Sequence, residues 1–253
     1  MERRQFLVLT ALASSVSAIN PARAFDLGNL GKVISAGKDL ADAQSITDEE
    51  LKAYSDQLAA QQDKDHKIAG PKTKYGQRLD SLTKGLNQYN GLKLNFKVYE
   101  TPEINAFAMA NGTIRVYSGL MDKFSDDEVR YVIGHEIGHV QAGHTKARIQ
   151  MSLRTNAAKT AISATGGKAA KLADSELGDL FRSVIVAQHS QSNEREADDI
   201  AMQFMKSRKY DPKACVTALE KLAALSGGGE GISWLSTHPS PKERAQRMRE
   251  QLA

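Results

Sequence analysis

The clearest hydrophobic pattern in the chain lies between Ser125 and His144, where apolar residues recur three and four positions apart. This spacing predicts an amphipathic helix with one apolar stripe. The stripe consists of Val129, Val132, Ile133 and Val140. Ser125 is followed three residues later by Glu128, a capping box that predicts where the helix begins. The stretch is therefore predicted to be a helix seated in a core.

Apolar and polar residues alternate over residues 92–98, which predicts a half-buried strand. Two further apolar runs, 105–110 and 113–117, are separated by Asn111-Gly112, a strong hairpin signal. Three strands directly before the helix predict a small three-stranded sheet packed on it. The predicted fold class is therefore α+β and mostly helical.

Helical periodicity marks most of the remaining chain. The pattern after His144 stays helical to about Ala164. A Gly-Pro pair at residues 70–71 separates an N-terminal helical lead-in, residues 25–70, from a domain predicted for residues 71–253. The segment 226–231 is glycine-rich and is predicted to be a flexible loop. Other predicted helices cover residues 47–62, 75–89, 173–186, 192–208, 212–225 and 242–252.

Residues 1–24 have the layout of a cleaved export signal, with Arg3 and Arg4 before a short apolar segment and Ala-Arg-Ala at 22–24. The adjacent arginines also resemble a twin-arginine signal, so both export routes stay open. No later segment is apolar enough to span a bilayer, so no transmembrane anchor is expected. The expected location is the periplasm, in soluble form, and the alternative is a peripheral position at the envelope membrane.

The composition narrows the classes of function further. The 253 residues are 25% charged and 41% hydrophobic with a net charge of +4, as expected for a globular protein. No block of lysine and arginine indicates nucleic acid binding. The single cysteine, Cys215, excludes a disulfide within the chain and a zinc site built from thiolates. A zinc site would therefore use histidine and carboxylate ligands.

His135, Glu136 and His139 form an H-E-x-x-H motif within the predicted central helix. Residues four apart on a helix lie one above the other, so the two imidazoles can bind one Zn²⁺. Glu136 can then reach a water on that ion and act as the general base. The alternative is a solvated helix that carries two surface histidines by chance. The capping box and the apolar stripe favour the metal site.

Two classes of zinc peptidase do not fit the rest of the motif. Ala142 and Thr145 stand where the metzincin pattern requires glycine and histidine, and the inverted order H-x-x-E-H is absent. His144 lies nine residues beyond His135, about 900° of rotation on a continuous helix. It is therefore predicted to face the opposite side and to be structural.

In the remaining arrangement the third metal ligand is a glutamate from a later helix, and Glu194 is the candidate. Glu194 and Asp198 are four residues apart and share a helix face. Glu194 can bind the metal, and Asp198 can accept the second N–H of a ligating histidine. Glu196 points elsewhere and is predicted to be solvated. Because this helix is rich in acids, the residues alone leave the assignment of Glu194 open.

Four blocks of sequence together resemble the HtpX and CAAX-prenyl-protease type of zinc metallopeptidases, a gluzincin family, and within it the periplasmic LoiP and BepA branch. The resemblance covers roughly residues 70–250. Its blocks are residues 105–120, which begin Asn-Ala-Phe-Ala, residues 134–139, residues 194–198, and Thr237-His238-Pro239 followed by Arg244.

The resemblance implies that Glu194 is the third ligand and that His238 lies over the metal. There His238 would stabilise the oxyanion, or it would close the site as a fourth ligand. Arg244 is implied to lie near the active site. An edge strand beside the zinc site could also bind an extended peptide by strand addition. The candidate substrate-binding residues are Asn105, Ala106, Phe107 and Ala108.

The function that the resemblance implies is that of a zinc-dependent endopeptidase of the bacterial periplasm, with one Zn²⁺ per chain. Its substrates would be misfolded or misassembled envelope proteins. The alternative is a periplasmic chaperone or assembly factor with a latent zinc site gated by His238. LoiP-like members are usually lipoproteins, but no cysteine lies near the predicted cleavage site of this chain, so no lipid anchor is expected.

Overall fold

The computed structural model describes residues 47–154, 184, 187–225 and 232–253. The ranges do not include the predicted signal segment 1–24, residues 25–46 of the lead-in, the glycine-rich loop 226–231 and most of the helix predicted over 173–186. Within them, not one helix combines the length and apolarity needed to cross a membrane. The helices are α1 Asp48–Asp65, α2 Lys74–Leu82, α3 Ser118–Lys123, α4 Asp126–Gln141, α5 His144–Arg154, α6 Gln191–Ser207, α7 Ala214–Leu225, α8 Trp234–Thr237 and α9 Pro241–Glu250.

The strands of the described residues form two small sheets. The first is a hairpin of β1 Gln88–Tyr89 and β2 Leu92–Lys93, and the second contains β3 Asn95–Tyr99, β4 Ala106–Ala108 and β5 Thr113–Tyr117. The second sheet has the order β3-β5-β4, with β3 parallel to β5 and β4 antiparallel to it across the predicted hairpin. The mostly helical α+β class is confirmed, and β4 is an edge strand.

Two predicted elements have wrong bounds. The strand predicted over residues 92–98 is divided, because β2 pairs with β1 whereas β3 joins the other sheet. The helix predicted over residues 75–89 ends at Leu82, and Gln88–Tyr89 is a strand. Leu86 is fully buried although it lies beyond that helix. Its helical spacing from Leu82 therefore reflects a shared core and not a continuous helix.

The three-stranded sheet separates two apolar cores. Ala106 and Ala108 of β4 belong to the cluster that contains the apolar residues of α4. Phe107 belongs to a second cluster with Tyr99, Tyr117 and the apolar face of α1. Successive residues of a strand point to opposite faces of a sheet. Helix α4 therefore covers one face and α1 covers the other.

Helix α4 begins at the predicted capping box. Ser125 Oγ accepts from the N–H of Glu128 at 3.4 Å, and Glu128 Oε2 accepts from the N–H of Ser125 at 2.8 Å. Gly138 then allows α6 to approach closely, since a Cβ at this position would lie 2.8 Å from the carbonyl oxygen of Ala197. The approach brings Glu194 of α6 to the histidines of α4.

Helix α4 ends at Gln141, and the stretch predicted to stay helical from His144 to about Ala164 is helical over its described part, to Arg154. The rest of that stretch lies outside the described residues. Gly143 has a φ of 71°, a left-handed conformation that glycine adopts without strain and that commonly ends helices. A new helix, α5, begins at His144. The rotation expected from His135 to His144 on one continuous helix therefore does not apply.

Candidate metal centre

Four side chains from three helices converge beside the sheet. His135 and His139 come from α4, Glu194 from the first turn of α6, and His238 from the residue after α8. One potential ligand atom of each lies within 4.8 Å of the others, and all four residues are buried. The structure thus brings together the three predicted ligands and adds His238 to the same group.

The spacing of these atoms fits a single tetrahedral ion. Nε2 of His135 lies 3.0 Å from Nε2 of His139. The carboxylate oxygens of Glu194 lie 3.5 and 3.4 Å from these two nitrogens. Ligand atoms about 2.1 Å from a tetrahedral ion lie roughly 3.4 Å from one another. Both the donor set and its spacing are therefore suited to a metal ion.

Asp198 contacts the first histidine of the motif in the way that the sequence predicts. Its Oδ1 lies 3.0 Å from Nδ1 of His135. Nε of Arg244 donates to Oδ2 at 2.8 Å, and the hydroxyl of Tyr131 donates to Oδ1 at 2.7 Å. This arrangement puts the proton of His135 on Nδ1 and leaves Nε2 free to bind a metal. Tyr131, one turn before His135, is a contact that was not predicted.

The guanidinium of Arg244 is the counter-ion of both Glu194 and Asp198. Burial by itself raises the pKa of Glu194, but the charges of His238 and Arg244 and the hydrogen bonds of the motif histidines hold it far below its usual range. Burial also raises the pKa of Asp198, but Arg244 and His135 together hold it below its usual value. Arg244 forms an ion pair with Glu194 as well as with Asp198. Both carboxylates therefore stay ionised.

Glu136, the predicted general base, is buried beside the ligand atoms and contacts two aromatic side chains. The indole N–H of Trp234 donates to Oε1 of Glu136 at 3.2 Å. Nε2 of His238 lies 3.5 Å from the same oxygen, and the rings of Trp234 and His238 are stacked with centroids 4.3 Å apart. Trp234 was not predicted as a site residue, because the segment around it lacks a periodic pattern although residues 234–237 form α8.

His238 lies directly against the ligand group. Its Nδ1 is 3.0 Å from Oε1 of Glu194 and 3.3 Å from Nε2 of His135. A fourth metal ligand would have this spacing, and a donor to a developing oxyanion would occupy the same neighbourhood. Both roles predicted for His238 are compatible with this position.

The predicted direction of His144 is wrong. Its Nδ1 lies 2.9 Å from Nδ1 of His139, and its Nε2 lies 3.2 Å from the carboxylate of Glu196, which is exposed as predicted. The break at Gly143 turns the chain back towards the site, and the position of that glycine after the motif was the signal for it. His144 contributes no atom to the group of potential ligands and instead orients His139.

Two further residues reach the site without having been predicted. The ring of His189 stacks on that of His139 with centroids 3.8 Å apart, and its backbone N–H donates to the carbonyl of Thr237 at 2.8 Å. Nη1 of Arg148 donates to Nε2 of His189 at 2.6 Å. Arg148 lies on α5, after the break, so no spacing within a single helix could have placed it here.

A cleft of about 290 Å³ opens along this site. Its lining includes Glu136, His139 and His238. The predicted substrate-binding residues Asn105, Ala106, Phe107 and Ala108 line the same cleft. Gln62 and His66, at the C-terminal end of α1, also belong to the lining. The cleft therefore joins the edge strand, the potential metal ligands and the N-terminal helix.

Known proteins resemble this chain over most of its length. Residues 77–252 match peptidase family M48. The chain is 40% identical to Metalloprotease YcaL of Escherichia coli (strain K12) over 247 residues, which are 97% of each chain. It is 41% identical to Metalloprotease LoiP of the same organism over 222 residues, 87% of this chain and 88% of that protein. The Beta-barrel assembly-enhancing protease of that strain is 33% identical over 162 residues, 59% of this chain and 32% of that protein.

Proposed function

This chain belongs to peptidase family M48 and is a metalloendopeptidase, and from that premise we propose that it is a zinc endopeptidase whose ion is bound by His135, His139 and Glu194. The observation that carries the proposal is the group of buried ligand atoms within 4.8 Å of one another beside Glu136. Zinc is proposed because two imidazoles and a carboxylate at tetrahedral spacing are typical of catalytic zinc sites.

A bound zinc ion would polarise the scissile carbonyl and the attacking water. Glu136 is proposed to accept a proton from that water and to pass it to the leaving amine. The contacts of Trp234 and His238 with Glu136 both go to Oε1. Oε2 is therefore the oxygen proposed to exchange the proton, while Trp234 keeps the carboxylate in place.

The two motif histidines are proposed to be oriented by different partners. Asp198 contacts Nδ1 of His135, and His144 contacts Nδ1 of His139. Both contacts leave Nε2 for the metal, and such outer contacts commonly strengthen metal binding about 10- to 100-fold. Arg244 acts through Asp198 and is proposed to be a positioning residue.

The substrate is proposed to lie extended along the free edge of β4. In the pairing with β5, the N–H of Tyr117 donates to the carbonyl of Asn105, and the N–H of Met109 donates to the carbonyl of Thr113. Bonds to β5 thus alternate along the strand, so Ala106 and its second neighbour Ala108 direct their polar groups away from β5.

Part of that edge is already bonded. The side chain of Asn105 accepts from the N–H of Ala106 at 2.9 Å, and the hydroxyl of Thr145 donates to the carbonyl of Ala108 at 3.4 Å. Among the contacts of the described residues, the carbonyl of Ala106 and the N–H of Ala108 are left for a peptide. Main-chain bonds of this kind hold extended chains with little regard to sequence, which suits an unfolded protein as substrate.

We further propose that the enzyme works in the periplasm and cleaves misfolded or misassembled envelope proteins. The export-signal pattern of residues 1–24 supports this location, with a peripheral position at the envelope membrane as the alternative. The name of one relative, a β-barrel assembly-enhancing protease, supports a role with envelope proteins.

Replacement of the proposed base tests the mechanism. Glu136→Gln is expected to lower kcat/KM for an unfolded protein about 10²- to 10⁴-fold, because the water loses its proton acceptor. Zinc measured by atomic emission should stay at about one ion per chain in the variant, because the two histidines and the glutamate proposed to bind it are unchanged. Asp126→Asn is the control, since Asp126 is an exposed acid of the same helix that pairs with Arg78.

Retained turnover in Glu136→Gln would exclude this glutamate as the base. Bound zinc without hydrolysis by the parent chain would favour the alternative function, a periplasmic chaperone or assembly factor with a latent site. The contact of His238 with Glu194 is the observation that favours this alternative.

His238→Ala separates the two roles of that histidine. A gain of activity with zinc retained would support a closing ligand. A loss of about 10²-fold in kcat, again with zinc retained, would support a donor to the oxyanion. An activity equal to that of the parent chain would exclude both roles.

A further inference from the structure

Two residues that line the cleft each carry a buried nitrogen atom with no hydrogen-bond partner among the described residues. The atoms are Nη2 of Arg148 and Nδ1 of His189, and both residues line the cleft next to His139. Buried polar atoms of proteins are nearly always paired, so two unpaired ones on adjacent residues of a cleft point to a bound molecule as the missing partner.

Both unpaired atoms are hydrogen-bond donors. Nη1 of Arg148 donates to Nε2 of His189, because a guanidinium has donors only. Nε2 of His189 is therefore the accepting nitrogen, and the proton of the neutral ring lies on Nδ1. A ligand that satisfies the pair must offer acceptor atoms, and an oxygen with two or more lone pairs is the simplest choice.

The charge of Arg148 further restricts the chemical class of the ligand. Burial lowers the pKa of Arg148 to about 10, and the charges of Glu194 and Glu136 oppose this shift, so the side chain stays protonated at neutral pH. Arg115 and Arg244 each donate two bonds to an aspartate, whereas the side-chain partner of Arg148 is the neutral ring of His189. Glu194 and Glu136 act on Arg148 through their charge alone, and no carboxylate of the described residues pairs with it directly. A buried charge without a close counter-ion is unfavourable, and a substrate carboxylate would supply one.

Arg148 and His189 also lie at a defined distance from the potential metal ligands. The ring of His189 lies 3.8 Å from that of His139 and 5.1 Å from that of His238, centroid to centroid. One residue of an extended peptide spans about 3.3 Å. A group bound by these donors would therefore belong to a residue next to the scissile bond or one position further.

We propose that Arg148 and His189 form a carboxylate-binding subsite, so that the enzyme prefers substrates with a carboxylate close to the scissile bond. The proposal rests on the proposed endopeptidase function of the same cleft. A guanidinium fork matches the geometry of a carboxylate, and charge-assisted hydrogen bonds are about twice as strong as neutral ones. The carboxylate comes from an Asp or Glu side chain or from the C-terminus of a cleaved fragment.

Matched fluorogenic peptides test the subsite. One set places Glu or Gln at each position within two residues of the scissile bond, and a second set ends there in a free carboxylate or an amide. The parent chain is expected to favour the carboxylate member about 10- to 100-fold in kcat/KM. The set that shows the preference identifies the source of the carboxylate.

Variants on α5 assign the preference to Arg148. Arg148→Gln should reduce the preference to about one, and Arg148→Lys should keep part of it. Lys146→Gln removes a charge from the same helix, where Lys146 pairs with Asp48, and should leave the preference unchanged. Thermal unfolding of each variant shows whether it is folded.

Equal cleavage of both members of every peptide pair by the parent chain would overturn the subsite and leave the endopeptidase function standing. A preference that survives in a folded Arg148→Gln would do the same. If the parent chain cleaves none of the peptides, the endopeptidase proposal fails first. Binding of the Glu and Gln peptides to Glu136→Gln, followed by fluorescence anisotropy, then decides the subsite, with about tenfold tighter binding expected for Glu and equal binding contradicting it.

Discussion

Two aspartates on opposite sides of the three-stranded sheet, Asp198 and Asp63, have nearly the same surroundings. Asp198 accepts from Nε and Nη2 of Arg244 at 2.8 and 2.7 Å. It also accepts from the hydroxyl of Tyr131 at 2.7 Å. The group is buried between α4 and α6, where it contacts the potential metal ligands.

Asp63 repeats this arrangement behind the sheet. It accepts from Nε and Nη2 of Arg115 at 2.8 and 3.0 Å and from the hydroxyl of Tyr99 at 2.7 Å. Arg115 is 2% exposed, as thoroughly buried as Arg244. An arginine fork and a tyrosine hydroxyl on an aspartate therefore do not by themselves identify a functional site.

The remaining partner separates the two aspartates. Asp198 contacts Nδ1 of His135, and the other nitrogen of that ring lies among the potential ligand atoms. Asp63 accepts instead from Nζ of Lys97 at 2.7 Å, a side chain that is 37% exposed. The cluster around Asp198 thus contacts His135, whose other ring nitrogen can bind a metal. The cluster around Asp63 joins α1 to the sheet.

This comparison gives each cluster a different measurable consequence. Changes at Asp198 should alter metal binding, since its contact determines the orientation of His135. Changes at Asp63 should alter the stability of the packing between α1 and the sheet. They should leave the metal site as it is, because α4 and α6 lie on the other face.

The largest expected effect is on metal affinity. Asp198→Asn should weaken zinc binding about 10- to 100-fold, because the uncharged amide no longer holds the proton of His135 on Nδ1 with the same strength. Competition with a chelator of known affinity at constant pH measures the change. Asp199→Asn is the matched control, since this neighbouring aspartate pairs with Arg247 at the surface. If Asp198→Asn and Asp199→Asn bind zinc equally well, the cluster around Asp198 does not support metal binding and does not differ from the cluster around Asp63 in this respect.

Local signals in the sequence predicted the central part of the site. The capping box at Ser125, the H-E-x-x-H spacing and the Asn111-Gly112 turn depend on residues within a few positions of one another. The pairing of Asp198 with His135 was also predictable, because it needs only the position of Asp198 one turn after Glu194 and the usual outer contact of a ligating histidine.

Contacts between distant elements were not predictable in this way. Asp63 and Arg115 are 52 residues apart and meet because α1 crosses the sheet, and β3 pairs in parallel with β5 although an intervening strand precedes β5. Arg148 of α5 and His189, which precedes α6, are 41 residues apart and meet in the cleft. The direction of His144 depended on one backbone angle at Gly143, which periodicity does not reveal.

The smaller expected effect is on stability. Asp63→Asn should lower the free energy of unfolding by about 3 kcal/mol, because buried Arg115 loses its counter-ion. Zinc affinity should equal that of the parent chain. Asp65→Asn is the matched control on the same helix, where the carboxylate meets only the amide of Gln61 among the described contacts. Weakened zinc binding in Asp63→Asn would show that the two clusters are coupled through the sheet.

The difference in free energy of unfolding between the parent chain and Asp63→Asn should also depend on pH, and this dependence is the sharper test. Burial raises the pKa of Asp63, but the hydrogen bonds of Arg115, Lys97 and Tyr99 outweigh it and lower the pKa from 3.8 to about 2. A carboxylate with a lowered pKa in the folded state stabilises fully above its unfolded value and loses this contribution as the pH falls through the folded value. In urea unfolding of the metal-free chain, the difference between parent and Asp63→Asn should stay constant down to about pH 5 and shrink from about pH 4 towards pH 2. A difference that does not change over this range would mean that the charge of Asp63 contributes nothing to the packing of α1.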